Sequence, residues 1–171
     1  RMVGSRDLLE IAEALDIDGV NIRPDYRCEA LDEVTFRDEW GCVRRETGDV
    51  LPAVVGHPIP DIACHEDYAF PDPTAAWRFA ALERAVARMG HERAVILNVR
   101  DGFSDMRDLL GYESSLMSLL LEPQAYRELL ERAVQYNLAV AAAARQRFGL
   151  DIVATTDDIA NAQGMLVNPR V

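Results

Sequence analysis

The segment Asp151–Asp158, DIVATTDD, gives the clearest indication of the fold. Ile152–Ala154 is a short apolar run rich in β-branched residues. It follows Phe148–Gly149, which ends a helix, so it predicts a buried strand. Asp157 and Asp158 come directly after that strand. Ligands bind at the carboxyl ends of the strands in α/β sheets and barrels, so we expect at least one of these acids to contact a ligand. The ordinary alternative is that one acid caps a helix or turn and the other is solvated.

Two other predicted strands also end in polar residues. Val20–Ile22 stops at Arg23–Pro24, and the most apolar strand, Ala94–Val99, is followed by Arg100. Long helical connections between the three strands predict parallel pairing and therefore an α/β fold. We expect binding residues at these two strand ends: Asn21, Arg23, Asn98, Arg100 and Asp101. The alternative for Arg100 is a salt bridge to Asp101 or Asp158.

The helices and one hairpin have recognisable boundaries. A helix over Pro123–Phe148 is the longest. Thr47–Asp49 is predicted to connect the two strands of an exposed hairpin. The remaining expected boundaries are a Ser5 cap for the first helix, Asp72–Pro73 opening the helix that ends at Gly90, a break at Gly111, and hairpin strands at Cys42–Glu46 and Val50–Val55.

Composition narrows the function classes. The net charge is -11, which leaves no basic surface for nucleic acid or for anionic membrane. No apolar run approaches the roughly 20 residues that span a bilayer. Three irregularly spaced cysteines favour a reducing cytoplasm over a disulfide framework. Without repeats or linkers, residues 1–171 are interpreted as one domain.

The segment Gly56–Pro73 is rich in proline and predicts an ordered loop. His57 is expected to anchor it and is also a candidate binding residue. His57, Cys64 and His65 lack the paired spacing of zinc ligands, so no metal site is predicted here. Trp40 is expected to pack the hairpin onto the body of the domain, with stacking on a macrocycle as the alternative.

Several short motifs follow one another over nearly the whole chain: Asp38–Gly41 (DEWG), His57–Ile59, Tyr68, Phe70–Pro73, Leu110–Glu113, Asp157–Asp158, Gln163–Gly164 and Asn168–Pro169. Together, and in this order, they resemble the uroporphyrinogen decarboxylase family. The resemblance implies a (β/α)₈ TIM barrel. Three strands cannot close such a barrel, which needs roughly 250 residues. The chain is therefore expected to be a central segment with a β-hairpin insert, poorly soluble and inactive alone.

The family contains two chemistries. Decarboxylases remove carboxylate from the acetate arms of uroporphyrinogen, in porphyrin and heme biosynthesis. Related methyltransferases move a methyl group between a small-molecule or corrinoid-protein donor and a thiol or folate acceptor. Several of them use zinc bound late in the chain. The DEWG hairpin resembles the methyltransferase branch, whereas Val20–Pro24 and Arg100–Phe103 depart from the decarboxylase pattern.

The resemblance thus implies corrinoid-linked methyl transfer. Decarboxylation of uroporphyrinogen is the first alternative, and a non-catalytic barrel that binds a corrinoid or tetrapyrrole is the second. No cofactor is expected within this segment; zinc and a corrinoid belong to the complete protein. Asp158 is the first candidate to protonate a leaving group, with Asp157 as its neighbour. Arg100 is a candidate to hold a substrate carboxylate or a corrinoid phosphate. The oligomeric state, a homodimer among the options, stays open.

Overall fold

The structure is a computed structural model that describes residues 7–49 and 51–168. The helices are α1 (Leu8–Ala14), α2 (Ala80–Met89), α3 (Phe103–Leu110), α4 (Tyr112–Leu121) and α5 (Pro123–Phe148). The strands are β1 (Gly19–Ile22), β2 (Cys28–Ala30), β3 (Thr35–Asp38), β4 (Val43–Arg45), β5 (Ala53–Gly56), β6 (Ala94–Arg100), β7 (Val153–Thr156), β8 (Ala160–Asn161) and β9 (Gly164–Met165).

Contacts divide the described chain into two compact units. Unit 1 contains residues 7–25, 73–99 and 138–156. Unit 2 contains residues 26–72, 100–137 and 157–168, apart from residue 50.

Unit 1 is built on a three-stranded sheet in the order β1-β6-β7. β1 and β6 pair in parallel, with Gly19 opposite Ala94 and Ile22 opposite Leu97. On the other side of β6, the Leu97 amide donates to the Ile152 carbonyl at 3.2 Å. A mixed α/β fold with a parallel sheet is therefore confirmed, whereas the described residues form no closed barrel.

The burial predicted for the last of these strands is wrong. β7 forms where expected, but Ile152 and Val153 are 46% and 42% exposed. β7 lies at one end of the strand order, so among the described strands of this sheet it has β6 as its one neighbour. An apolar, β-branched run is enough to predict a strand, but burial also requires an element that packs on it.

The helix boundaries are mostly as predicted. The α3–α4 break falls at Gly111, α5 runs over the predicted Pro123–Phe148, and Gly90 follows α2. The starts of α1 and α2 differ from the predicted ones. Asp7 caps α1 by accepting from the Leu9 and Glu10 amides, and Ser5 lies outside the described residues. Asp72–Pro73 does not open α2, because a 3₁₀ helix at Ala76–Phe79 comes between them.

Unit 2 contains a four-stranded antiparallel sheet in the order β2-β3-β4-β5. The predicted hairpin is confirmed as β4 and β5, although both strands are shorter than expected and Val50 lies outside the described residues. Sequence analysis missed β2 and β3. The sequences CEA and TFRD have too few apolar residues for the alternation that identifies strands.

The apolar core of unit 2 lies between the proline-rich loop and helices α3 and α5. Its buried members are Ile59, Ile62, Met106, Leu109, Leu110, Tyr126 and Leu129. Trp40 packs against this core, as expected, and its rings lie 6.0 Å from Tyr26 and 6.1 Å from Tyr136. Among the described residues, no helix is both long enough and apolar enough to cross a membrane.

Candidate functional site

Five side chains, alternately acidic and basic, are linked by hydrogen bonds and salt bridges beside α3 in unit 2. Asp108 Oδ2 accepts hydrogen bonds from Arg44 Nη2 and Arg100 Nη1, both at 2.8 Å. Arg44 Nε also donates to Asp38 Oδ2 at 2.7 Å, and Arg100 Nε lies 2.9 Å from Asp105 Oδ1. We call these five residues the Asp–Arg cluster. Two guanidinium groups thus connect three carboxylates, so the cluster carries one excess negative charge when all are ionised.

Local structure places these side chains together. Asp105 and Asp108 are three residues apart on α3 and therefore share a face of the helix. Gly102, at a φ of 109°, turns the chain between Arg100 and α3. Asp38 ends β3 and also accepts from the Cys42 amide at 2.9 Å, which fixes it at the turn into β4.

The two carboxylates on α3 have opposite pKa shifts. Burial raises the pKa of Asp105, and the negative charges of Asp108 and Asp157 raise it further, against the pull of Arg100. Burial also acts to raise the pKa of Asp108, but Arg100 and Arg44 outweigh it and hold the pKa below its ordinary value. A partly buried acid with a raised pKa, such as Asp105, is suited to hold and deliver a proton.

Asp157 is bound to the start of α3. Its Oδ1 accepts from the Ser104 amide at 2.8 Å, from the Ser104 hydroxyl, and from the Asp158 amide at 2.9 Å. Ser104 is the second residue of α3, so Asp157 satisfies a free amide of that helix end, like a capping residue. Asp157 Oδ2 is buried and has no hydrogen-bond partner among the described residues, so it can accept a further hydrogen bond.

Asp158 has a different environment. Its side chain is 81% exposed, and its nearest cation is Arg107, with Nη2 at 3.8 Å. The role first assigned to Asp158 requires a closed pocket that raises the pKa of its carboxyl. Here the acid with a raised pKa is Asp105, whose side chain is only 19% exposed and which the sequence analysis missed.

The other predicted binding residues are in several environments. Asn98 is buried in unit 1, where its Oδ1 accepts from the Thr156 hydroxyl at 3.2 Å. Asn21, Arg23 and Asp101 are exposed. His57 anchors its loop as expected, because its Nδ1 lies 2.8 Å from the Asp108 carbonyl.

Arg100 forms salt bridges, as its alternative interpretation predicted, but the named partners were wrong. It pairs with Asp105 and Asp108 instead of Asp101 and Asp158. The helical turn after Gly102 brings positions 105 and 108 back towards Arg100. The spacing Asp105-x-x-Asp108 just after an arginine was the available sequence signal. No sequence pattern paired Asp38 with Arg44, because β3 was not predicted beside β4.

Comparison with known proteins gives one structural likeness. The chain is similar to a methyltransferase from Methanosarcina mazei, with a TM-score of 0.67 and 21% sequence identity, over 92% of this chain. The match covers 46% of that structure, so the chain spans less than half its length. This likeness shows the fold alone. No family model and no curated protein matches the sequence.

Proposed function

We propose that this chain is part of a (β/α)₈ barrel enzyme that transfers a methyl group. The observation that carries the proposal is the likeness in fold, over 92% of the chain, to a methyltransferase. The DEWG hairpin, formed by residues around β3 and β4, favours the same branch of the uroporphyrinogen decarboxylase family.

In this proposal, Asp105 supplies the proton that the leaving group needs. An acceptor nucleophile attacks the methyl carbon of methanol, a methylamine or an aryl methyl ether, and the carbon–oxygen or carbon–nitrogen bond breaks with its electron pair going to the leaving atom. That atom takes the proton of Asp105 and departs as water from methanol, as ammonia or an amine from a methylamine, or as a phenol from an aryl methyl ether. The raised pKa of Asp105 supports this role, since it favours the protonated form before the reaction.

Arg100 and Asp157 support Asp105 in different ways. Arg100 stabilises the carboxylate left after proton transfer, at 2.9 Å from Oδ1. In this proposal the Oδ2 of Asp157, which has no hydrogen-bond partner among the described residues, accepts a hydrogen bond from a methanol or methylamine donor. Asp158, as the first candidate of the sequence analysis, stays a prediction that the same experiment tests.

The corrinoid and the zinc implied by the family resemblance enter no step of this proposal. The guanidinium group expected to hold a corrinoid phosphate, that of Arg100, already forms a salt bridge with the Asp108 carboxylate. Among the described residues, the one group of three side chains suited to a metal contains no cysteine, unlike the family's zinc ligands.

The test is a methyl-transfer assay on the complete protein, with cob(I)alamin as a probe acceptor and methanol, methylamine or an aryl methyl ether as donor. Formation of methylcobalamin is followed by its absorbance. We expect Asp105→Asn to lower kcat by roughly 10²–10⁴-fold and to remove the alkaline fall of the pH–rate profile. Asp158→Asn is the matched comparison, and a larger loss there would reassign the proton donor.

Two outcomes would replace the proposal. Release of carbon dioxide from uroporphyrinogen, without methyl transfer, would establish the decarboxylase alternative. Stoichiometric binding of a corrinoid or porphyrinogen with no turnover would indicate a binding barrel.

A further inference from the structure

A second group of side chains, which could hold a metal ion, contains none of the residues of the Asp–Arg cluster. It lies on the proline-rich loop and the first turns of α5. His65 and Glu66 belong to a 3₁₀ helix at Ile62–Asp67, and Glu128 belongs to α5. One ligand atom from each lies within 4.8 Å of the other two. His65 is buried, whereas Glu66 is exposed.

The hydrogen bonds of His65 determine which ring nitrogen is available. Nδ1 lies 2.9 Å from the Ile62 carbonyl, which can only accept, so Nδ1 carries a hydrogen. Nε2 lies 3.1 Å from Glu128 Oε2. In the neutral ring both of these atoms are acceptors, and two acceptors at this distance require a cation between them. That cation is either a second ring proton or a metal ion.

The surroundings hold both ligands in place. Gln124 Nε2 donates to Glu128 Oε1 at 2.6 Å, which leaves Oε2 facing His65. Arg132 Nη1 donates to the His65 carbonyl at 2.6 Å, and Arg132 also bonds the Tyr68 carbonyl. A histidine whose Nδ1–H is fixed by a carbonyl, with Nε2 directed at the ion, is the usual arrangement of a metal ligand.

We propose that His65 Nε2, Glu128 and Glu66 bind one Zn²⁺ ion, with water as the fourth ligand. Imidazole and carboxylate together suit zinc better than calcium or magnesium, which prefer oxygen ligands alone. In a tetrahedral site with ligands about 2.0–2.1 Å from zinc, neighbouring ligand atoms are roughly 3.3 Å apart. The distance of 3.1 Å between Nε2 and Oε2 is close to this value. Glu66 completes the set by a rotation of its exposed side chain.

The bound ion would connect parts of the chain that are 63 residues apart, from His65 to Glu128. It would attach the 3₁₀ helix of the proline-rich loop to α5. This separation explains why sequence spacing gave no metal signal. The site goes beyond the proposed methyl transfer and does not depend on it.

The test compares zinc content and zinc affinity in matched variants of the purified protein. After dialysis against a weak chelator, elemental analysis and titration with Zn²⁺ are applied to wild type, His65→Ala, Glu128→Gln and Glu66→Gln. Glu131→Gln is the control, because it makes the same change to an exposed glutamate three residues further along α5. Cys64→Ser controls for zinc binding by the neighbouring exposed thiol.

We expect the zinc stoichiometry to fall by one in His65→Ala and Glu128→Gln, and to be unchanged in Glu131→Gln and Cys64→Ser. Glu66→Gln should weaken zinc binding by about tenfold or more. Zinc should also raise the unfolding temperature of the wild type but not of Glu128→Gln, a mild change that is expected to fold. Equal zinc content in Glu128→Gln and wild type, or no zinc uptake by the wild type, would overturn the proposal. In the second case a proton, not a metal ion, lies between His65 Nε2 and Glu128 Oε2.

Discussion

Asp105 and Asp108 on α3 and Asp157 and Asp158 after β7 are two pairs of acids in unit 2 with different environments. The first pair is held by Arg44 and Arg100 inside the Asp–Arg cluster. In the second pair, Asp157 binds the start of α3 and Asp158 is exposed. The comparison shows that a place at the end of a strand does not bury a charge. Burial follows where cations or amides compensate for lost hydration.

The largest expected effect comes from removing a cation from the first pair. Arg44 is 20% exposed and pairs with Asp38, which is 1% exposed, and with Asp108. Arg44→Met leaves the buried Asp38 carboxylate without a cation and Asp108 with Arg100 alone, so we expect the free energy of unfolding to fall by about 3 kcal/mol. Urea denaturation measures it. Arg45→Met, at the exposed neighbouring position, should cost less than about 0.5 kcal/mol, and equal losses would contradict the account.

The second prediction concerns the end of α3 that fixes the first pair. Gly111 has φ 91° and ψ 152°, a conformation that is nearly restricted to glycine, and an added Cβ would lie 3.1 Å from the His57 ring. Gly111→Ala should therefore cost about 2–3 kcal/mol of unfolding free energy. Gly48→Ala is the control, since Gly48 has a similar φ of 85° but open space around it. Gly48→Ala should lower the free energy of unfolding by about 1 kcal/mol. Thermal or urea unfolding measures both variants, and equal losses would show that contact with the His57 ring adds nothing to the cost at Gly111.

The third prediction separates the two acids after β7. Asp157→Ala removes three hydrogen bonds, including the one to the Ser104 amide, and should cost about 1–2 kcal/mol. Asp158→Ala should change the free energy of unfolding by less than about 0.5 kcal/mol, because its ion pair is exposed. A larger loss for Asp158→Ala in chemical denaturation would reverse the assignment of the capping role.

The smallest expected effect is a change in pH dependence. Asp105 has a raised pKa, so the folded protein binds its proton more tightly than the unfolded chain does. Stability from this group is therefore lost as pH rises from about 4 through the raised pKa. Asp108, with a lowered pKa, acts in the opposite direction and loses its contribution as pH falls.

Asp105→Asn should remove the first of these two contributions. Its unfolding free energy, relative to that of wild type, should increase as pH rises above about 4. Urea titrations at several pH values measure the difference, and parallel curves for variant and wild type would show that Asp105 is not perturbed.

Sequence analysis identified the elements with strong local signals. α5, β1, β6 and the break at Gly111 follow from long periodic stretches, compact apolar runs and glycine. β2 and β3 were missed because they are polar and lack the apolar alternation that identifies strands, although they pair with strands close by in the sequence. The Asp–Arg cluster was missed because its members are far apart in the sequence, and Arg44 and Asp108 are separated by 64 positions.

The Cys42 thiol, which is 1% exposed, donates to the Asp108 carbonyl at 3.3 Å, beside the cluster. Burial, together with the charges of Asp38 and Asp108, raises the pKa of this thiol to about 12. In the folded protein the Cys42 thiol is therefore both inaccessible and scarcely ionised, whereas Cys28 and Cys64 are exposed. Alkylation of Cys42 therefore requires local unfolding around α3. The rate at which Cys42 is labelled thus measures local unfolding at the Asp–Arg cluster.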